Sequence, residues 1–123
     1  MTGNRSGRLR LTREMRLNRS SDFAEIKARG RRLVRGCLIA NWKEREGFSR
    51  IGFITSRKIG NAVTRVRARR LMREAFRLHQ YDLARTVDLV LIARPSIAGK
   101  SFGQVEQDYL EILRQGNLWK KTD

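Results

Sequence analysis

The side chains most able to do chemistry in this sequence are arginines, and they are concentrated in residues 55–77. This stretch holds eight Lys or Arg residues and a single acidic residue, Glu74. Guanidinium groups form paired hydrogen bonds to phosphates and keep their charge at any pH near neutrality. These residues therefore favour the binding of an anion over the breaking of a bond.

A helix is predicted to position the arginines. Asn61 is a good N-cap, and the residues after it favour a helix over 61–78. On a wheel of about 100° per residue, one face is apolar; it holds Ala68, Leu71, Met72, Ala75, Phe76 and Leu78. Beside the apolar face, a ridge of arginines at i, i+4 spacing comprises Arg65, Arg69, Arg73 and Arg77. Arg70 extends this ridge, and Arg67 lies on the far flank near Glu74.

The arginine ridge does not stabilise the helix by itself. Like charges four residues apart cost roughly 0.2–0.5 kcal/mol per pair, and Glu74 is expected to screen only Arg67 and Arg70. A bound polyanion would reverse the sign of that cost. We therefore prefer a polyanion-binding helix to the alternative, a cationic face that is only solvated.

The composition of the whole chain agrees with this interpretation. In 123 residues, 28 Lys or Arg against 12 Asp or Glu give a formal charge of +16. Such a charge favours nucleic acid as the first candidate partner and a membrane surface as the second. No apolar run is long enough to span a bilayer, and residues 1–17 lack the apolar core of a secretory signal. The one cysteine, Cys37, excludes an intramolecular disulfide, is expected to be buried, and fits a reducing, cytoplasmic compartment.

No set of residues fits catalysis by the protein itself. The one histidine, His79, ends the arginine helix and is expected to be a C-terminal cation or solvated. No Cys/His cluster suits zinc, and Asp82 and Asp88 have no informative spacing. The loop 56–61 leads into a helix N-terminus and could hold a phosphate, but it lacks the glycine spacing of a P-loop. Any reaction would depend on a partner, such as RNA with bound metal ions.

The remaining segments predict one small domain. We expect a basic arm over 1–19, a domain over 20–116, and a tail over 117–123 in which Trp119 packs on the last helix. Within the domain, the first predicted element is a helix at 22–29 that is closed by Gly30. Two strands follow and pair in a hairpin: one at 33–42, bulged or split at Gly36, and one at 50–56. The last two elements are a buried central strand at 87–93 and a helix that runs from the capping box Ser101/Gln104 to Gly116.

This order of elements indicates an α/β (α+β) two-layer sandwich with a small mixed sheet. If strands 50–56 and 87–93 are parallel, they form a βαβ unit, for which a right-handed crossover has a base rate of about 98%. Phe23 and Ile26 are expected to bury against the sheet; alternatively, Phe23 is partly exposed where a base could stack. Gly52 would allow another segment to approach closely.

Residues 56–76, SRKIGNAVTRVRARRLMREAF, resemble the signature of the bacterial ribonuclease P protein component. Flanking segments fit the same family; they are Asp22-Phe23, Gly30-Arg31-Arg32, Gly52-Phe53 and Leu91-Ile92-Ala93-Arg94. The resemblance covers residues 15–114.

The resemblance implies the small protein subunit of a ribonucleoprotein that removes the 5′ leader from precursor tRNA. In this family the RNA subunit is the catalyst and binds most of the Mg²⁺, and we expect no organic cofactor, obligate protein partner, catalytic residue or metal ligand in this chain. It also implies a fold like the second domain of ribosomal protein S5, with an unusual left-handed βαβ crossover that replaces the expectation from base rates.

The resemblance assigns two groups of site residues. The RNA subunit would contact Arg57, Lys58, Asn61, Arg65, Arg67, Arg69, Arg70 and Arg73. The leader would lie in a cleft between the first helix and the sheet, against Phe23, Lys27 and Arg94.

Two positions depart from the family pattern. Val66 replaces an asparagine between the first two arginines, and Lys27 replaces a second aromatic residue one turn after Phe23. The lysine favours phosphate attraction over base stacking. Two other classes remain open on charge alone: a structural RNA-binding protein such as a ribosomal protein, and a DNA-binding module, which the scarcity of Asn and Gln among the arginines disfavours.

Overall fold

The computed structural model describes residues 13–120. Three helices and four strands make up this part of the chain. The helices are α1 (Ser20–Arg29), α2 (Ala62–His79) and α3 (Phe102–Gln115); the strands are β1 (Arg31–Arg35), β2 (Leu38–Glu44), β3 (Arg50–Ile54) and β4 (Val87–Ala93). Four short 3₁₀ turns lie at Arg13–Met15, Arg57–Ile59, Gln80–Asp82 and Pro95–Ile97.

The four strands form one mixed sheet in the order β1-β2-β4-β3. Strand β4 pairs antiparallel with β2 and parallel with β3, so the predicted hairpin between 33–42 and 50–56 is wrong. The most apolar strand, β4, takes the central position between the two. The true hairpin joins β1 to β2 through Gly36, whose φ of 55° supplies the left-handed turn conformation.

Alternation along the strands separates two faces of the sheet. One face carries Leu38, Ala40, Ile51, Leu89 and Leu91, and it packs with α2 and α3 to form the main core. The other face carries Val90, Ile92 and Ile54, and it packs with Ile26 and Phe23 of α1. The predicted α+β sandwich with its β3-α2-β4 unit is confirmed, and the hand of the crossover remains an expectation.

Helix α2 begins as predicted, since the Asn61 side chain accepts a hydrogen bond from the Thr64 N–H at 3.0 Å. Four of the six predicted apolar positions are buried: Ala68, Met72, Ala75 and Phe76. Leu71 is half-buried, whereas Leu78, in the last turn of the helix, is exposed. The Ser101/Gln104 capping box of α3 is present, and its apolar stripe from Val105 to Leu113 is buried.

The segment before α1 is attached to the sheet edge. The Leu17 N–H donates to the Ile51 carbonyl at 2.8 Å, and the Leu17 side chain is buried. The predicted arm thus includes residues that pack on β3, while residues 1–12 lie outside the described part. The N-cap of α1 is Arg19 with no side-chain hydrogen bond, and the helix begins at Ser20, two residues before the predicted start at position 22.

The end of the described chain folds back on the helices. Leu118 is buried, and the Trp119 N–H donates to the Leu113 carbonyl at 3.1 Å, which confirms the predicted contact of Trp119 with the last helix. Within residues 13–120, none of the helices has the length and apolar character needed to cross a membrane.

Cys37 is predicted to resist alkylation in the folded protein. Burial raises the pKa of its thiol to about 12, with a further contribution from the Asp108 carboxylate. The thiolate is the reactive form, so iodoacetamide should modify the native protein slowly at mildly alkaline pH and the unfolded protein rapidly. Fast modification of the native protein would show that the thiol is accessible.

The same thiol should make stability depend on pH. Because its pKa in the folded protein is raised above the ordinary value of 9.0, this group should lower the free energy of unfolding as pH rises above about 9.

Candidate nucleic-acid interface

Three arginines of the predicted ridge are held by uncharged partners. The Arg65 guanidinium donates to the Gly60 carbonyl at 3.0 Å, and Arg69 donates to the Thr55 hydroxyl at 2.9 Å. Arg73 lies over the Phe53 ring, 5.9 Å from its centroid. The contacts of Arg69 and Arg73 orient these two side chains toward β3 and its end, and none of the three partners neutralises a charge.

The ridge ends at Arg73. Arg77 forms a bidentate pair with Glu74, with N–O distances of 3.1 and 2.6 Å. The hydrogen bonds from Arg77 hold the pKa of the Glu74 carboxyl below its ordinary value. The expectation that Glu74 screens Arg67 and Arg70 is therefore wrong: the two residues three apart in the last turns of α2 pair with each other.

Arg67 and Arg70 lie on the other flank of α2. Together with Ala62, Val63 and Val66 they line a shallow depression of about 420 Å³. Val63 is 77% exposed and Val66 is 43% exposed. Arg67 also donates to the Lys100 carbonyl at 2.7 Å. The departure at Val66 thus adds to an apolar patch between two cations, which sequence reasoning did not foresee.

The N-terminal approach to α2 presents further positive charge. Arg57 and Lys58 are exposed in the short turn before the helix. The Asn61 oxygen accepts from both the backbone N–H and the hydroxyl of Thr64, which leaves its amide N–H groups as the donors for an outside partner.

A groove connects the ridge to the sheet edge. Arg69 and Arg73 form one wall, and residues 16–18 form the other, above Gly52 and Phe53 of β3. The groove has a volume of about 280 Å³. Arg16 and Asn18 are absent from the predicted site residues, because their position depends on the attachment of residues 16–17 to β3.

Phe23 stands at the edge of the second predicted site. It is half-buried, and its ring lies so close to Gly52 that a methyl group added there would come within 2.7 Å of Phe23 Cε1. The predicted close approach at Gly52 is confirmed, and Phe23 is the residue that approaches. The ring is neither fully buried in the core nor fully free, which is consistent with both interpretations of this residue, core packing and base stacking.

The sheet face beside α1 is only partly covered. Ile39, Ile54 and Ile92 are half-buried, and Val34 is 45% exposed. The predicted buried central strand, β4, is only partly covered on this face, because the cover of α1 ends near Val90. These four apolar residues form an open floor. The one signal for it in the sequence is the alternation along β4, which puts Val90 and Ile92 on the opposite face of the sheet from Leu89 and Leu91.

The other two predicted leader contacts are exposed. Arg94 follows β4 directly, and its guanidinium donates to the Gly36 carbonyl at 2.9 Å. Arg94 is four positions along the chain from Val90, roughly 13 Å in an extended strand, so it lies at the far end of the floor from α1. Lys27 lies one helical turn after Phe23 with its side chain in solvent.

An ion-pair network fastens α1 to the sheet. Arg50 forms two hydrogen bonds of 2.8 Å to Asp88, and its other terminal nitrogen lies 3.9 Å from Asp22 of α1. Asp88 thus has a structural partner. The network links Asp22, the residue directly before Phe23, to the sheet.

Replacing Gly52 by alanine is predicted to displace the Phe23 ring. The added methyl group would contact Phe23 at 2.7 Å and the Leu17 Cβ at 3.2 Å, so the ring must move. We expect a modest loss of stability, about 1–3 kcal/mol for overpacking, and a change in the Phe23 ring resonances by NMR. A matched alanine at Gly47, where a Cβ would meet nothing within 4 Å, should leave those resonances in place. Unshifted Phe23 signals in the Gly52 variant would contradict this geometry.

His79 has partners that the sequence did not reveal. Its Nδ1 lies 3.0 Å from Asp82 Oδ2, and its Nε2 lies 2.7 Å from Glu106 Oε2. Of the two alternatives, the solvated histidine is wrong; His79 lies in the last turn of α2, and its side chain links the end of α2 to α3. Within residues 13–120, no His, Cys, Asp and Glu side chains group in a way that could hold a metal ion.

A cationic helix face next to a half-open apolar sheet face defines a class: a small nucleic-acid-binding domain of the α+β type. The similarity of this chain to known proteins identifies its family. The family model for ribonuclease P matches residues 11–117. The ribonuclease P protein component of Alkaliphilus metalliredigens is 33% identical, over 84% of this chain and 94% of its own length. That of Syntrophomonas wolfei is 34% identical, over 91% and 95%.

A solved structure shows the same fold. The ribonuclease P protein of Thermotoga maritima superposes with a TM-score of 0.74 at 27% identity, over 81% of this chain and 96% of its own. The chain belongs to the bacterial ribonuclease P protein component family. It is the protein subunit of a tRNA-processing endoribonuclease, and it associates with that enzyme's RNA subunit.

Proposed function

We propose that the chain helps to remove the 5′ leader of precursor tRNA by binding two RNAs on two surfaces. The arginine face of α2 binds the catalytic RNA subunit, and the sheet face beside α1 binds the leader. The observation that carries this proposal is the charge of Arg65, Arg69 and Arg73: their partners among residues 13–120 are a carbonyl, a hydroxyl and an aromatic ring. A row of positive charges with no acid to balance it favours a polyanion.

The surface for the RNA subunit extends over both flanks of α2 and the turn before it. It comprises Arg57, Lys58, Asn61, Arg65, Arg67, Arg69, Arg70 and Arg73. Arg69 and Arg73 face the groove, whereas Arg67 and Arg70 flank the valine patch. Contacts on both flanks would allow RNA to lie across the helix.

The leader surface combines one aromatic ring, an apolar floor and two cations. Phe23 offers a stacking position, Ile54 and Ile92 offer an apolar floor, and Lys27 and Arg94 supply charge for phosphates. Single-stranded RNA is commonly bound by such a combination of stacking and basic side chains. The positive charge also lets two polyanions, catalytic RNA and substrate, approach each other.

We place the catalytic Mg²⁺ mainly on the RNA subunit. The described residues supply arginines at the interface and offer no cluster of metal ligands. In this proposal the protein binds and orients RNA in the cytoplasm, and the RNA subunit supplies the groups that cleave the phosphodiester.

The proposal is tested by reconstitution. Precursor tRNA is incubated at low Mg²⁺ concentration with the protein alone, with the bacterial RNA subunit alone, and with both. We expect efficient 5′ cleavage only in the mixture. Cleavage by the protein alone, or no stimulation of the RNA by the protein, would refute it.

A further inference from the structure

A second cleft lies next to the groove of Arg69 and Arg73, and it is lined by none of the residues assigned to the two RNA surfaces. It has a volume of about 350 Å³ and lies between the segment before α1, the turn between β2 and β3, and the end of α2. Its walls include Met15, Phe48, Phe76 and Tyr81. This volume falls in the lower part of the range for small-ligand pockets, roughly 300–1,000 Å³.

Two aromatic side chains give the cleft its chemistry. Phe48 is 47% exposed and Tyr81 is 50% exposed, so both present ring surface to solvent from separate segments of the chain. Neither residue belongs to the main core cluster or to the side chains packed against it.

Cations border the same cleft. The Arg45 guanidinium lies 5.0 Å from the centroid of the Phe48 ring, which lines the cleft, and 3.6 Å from the Asp88 carboxylate. Arg85 is part of the wall, and its partner Glu44 is bound at the surface, with more than 40% of each side chain exposed. An exposed pair of this kind contributes little and can exchange its carboxylate for a phosphate.

The cleft continues the arginine groove. Arg69, Arg73 and Phe76 are spaced by four and three residues and so follow one face of α2, with Gln80 directly after the helix. Met15 borders the cleft, and the next residue, Arg16, borders the groove. A strand of RNA with phosphates on Arg69 and Arg73 would therefore meet the aromatic cleft next.

From this arrangement we propose that the cleft bounded by Met15, Phe48 and Tyr81 is a nucleobase-binding pocket that takes an unpaired base of the RNA subunit. The inference rests on the proposed function, since it continues the surface assigned to that RNA. Aromatic rings bind the planar face of any base, and flanking arginines bind its phosphates. An apolar protein segment is a poorer match to a rim that carries Arg45 and Arg85.

The test replaces both rings while keeping apolar bulk. The double variant Phe48→Leu with Tyr81→Leu removes the stacking surface, and Leu78→Ala is the matched control, an exposed apolar residue of α2 outside the cleft. Affinity for the isolated RNA subunit is measured by filter binding, with thermal unfolding as a check of fold. We expect the double variant to bind about 10-fold or more weakly, since loss of one stacked base costs roughly 5- to 150-fold, and the control to match the wild type.

The source of the base is tested in a second arm. A photoreactive benzoylphenylalanine at position 48 should crosslink to the RNA subunit in the assembled enzyme. Crosslinking to precursor tRNA, or unchanged affinity of the double variant, would overturn the inference. If the wild-type protein does not bind the RNA subunit at all, the proposed function is refuted together with this inference. If the wild type binds normally and the double variant binds equally well, only the inference about the cleft is refuted.

Discussion

Replacing Arg69 and Arg73 together by alanine is expected to weaken binding of the RNA subunit by roughly 100-fold without unfolding the domain. Each hydrogen bond to a charged group is worth about 1.5–3 kcal/mol, so removing two such bonds at the lower limit weakens binding by this factor. The salt dependence should fall as well, by about 0.7–0.9 in slope for each phosphate that the variant no longer binds. Equilibrium binding measured at several salt concentrations gives both quantities.

The fold should tolerate this double change. Within the described residues, the substitutions remove the hydrogen bond from Arg69 to Thr55 and the packing of Arg73 on Phe53. Each removal costs on the order of 1 kcal/mol or less, and relief of the repulsion between the two arginines offsets part of it. The matched control is Arg29→Ala with Arg114→Ala, which removes the same amount of charge. Both arginines are exposed, and each forms an ion pair with a glutamate of its own helix, α1 or α3. Equal weakening in both double variants would show that net charge alone, and no particular ridge, binds the RNA.

Replacing Phe23 by leucine is expected to weaken binding of precursor tRNA to the assembled enzyme by about 10-fold, and only when the leader is present. Leucine keeps an apolar side chain against Gly52 but removes the ring, and stacking on one base is worth about 1–3 kcal/mol. Phe23→Tyr keeps the ring and should behave like the wild type. The measurement compares dissociation constants for a precursor with a leader and for mature tRNA.

The Phe23 prediction separates the two surfaces. Affinity of the Phe23→Leu variant for the RNA subunit should be unchanged, because Phe23 lies on Gly52 of β3 and not on α2. An equal loss of affinity for precursor and mature tRNA would mean that Phe23 only supports the fold. Thermal unfolding distinguishes that result, since a structural role would lower the melting temperature in proportion.

Local signals in the sequence were enough for the helices and for the central strand. The N-cap Asn61, the capping box at Ser101 and the apolar run 87–93 each depend on neighbouring residues, and each appears in the structure as predicted. The pairing of strands depends on contacts distant in sequence. Proximity in the chain suggested a hairpin between β2 and β3, but β4 lies between them because it has the most apolar surface to bury.

The candidate site shows the same division. Spacing identified Arg65, Arg69 and Arg73 as one ridge, and the structure holds them on one side of α2. The spacing did not reveal that Arg77 pairs with Glu74, because the side-chain rotamer decides whether a helical residue contacts the neighbour three or the neighbour four positions away. The exposed floor of Ile54 and Ile92, the grooves beside residues 15–18 and the carboxylates around His79 arise from packing between distant segments, for which a single sequence carries no pattern.

Site-specific crosslinking from two exposed positions tests most directly whether two RNAs bind two surfaces. The native sequence has one cysteine, and it is buried, so an added cysteine is the one that a photoreactive label will modify. In the assembled enzyme with precursor tRNA bound, a label on Arg70→Cys should crosslink to the RNA subunit, and a label on Lys27→Cys should crosslink to the 5′ leader. Crosslinks from both positions to the same RNA, or the reverse assignment, would contradict the separation of the two surfaces.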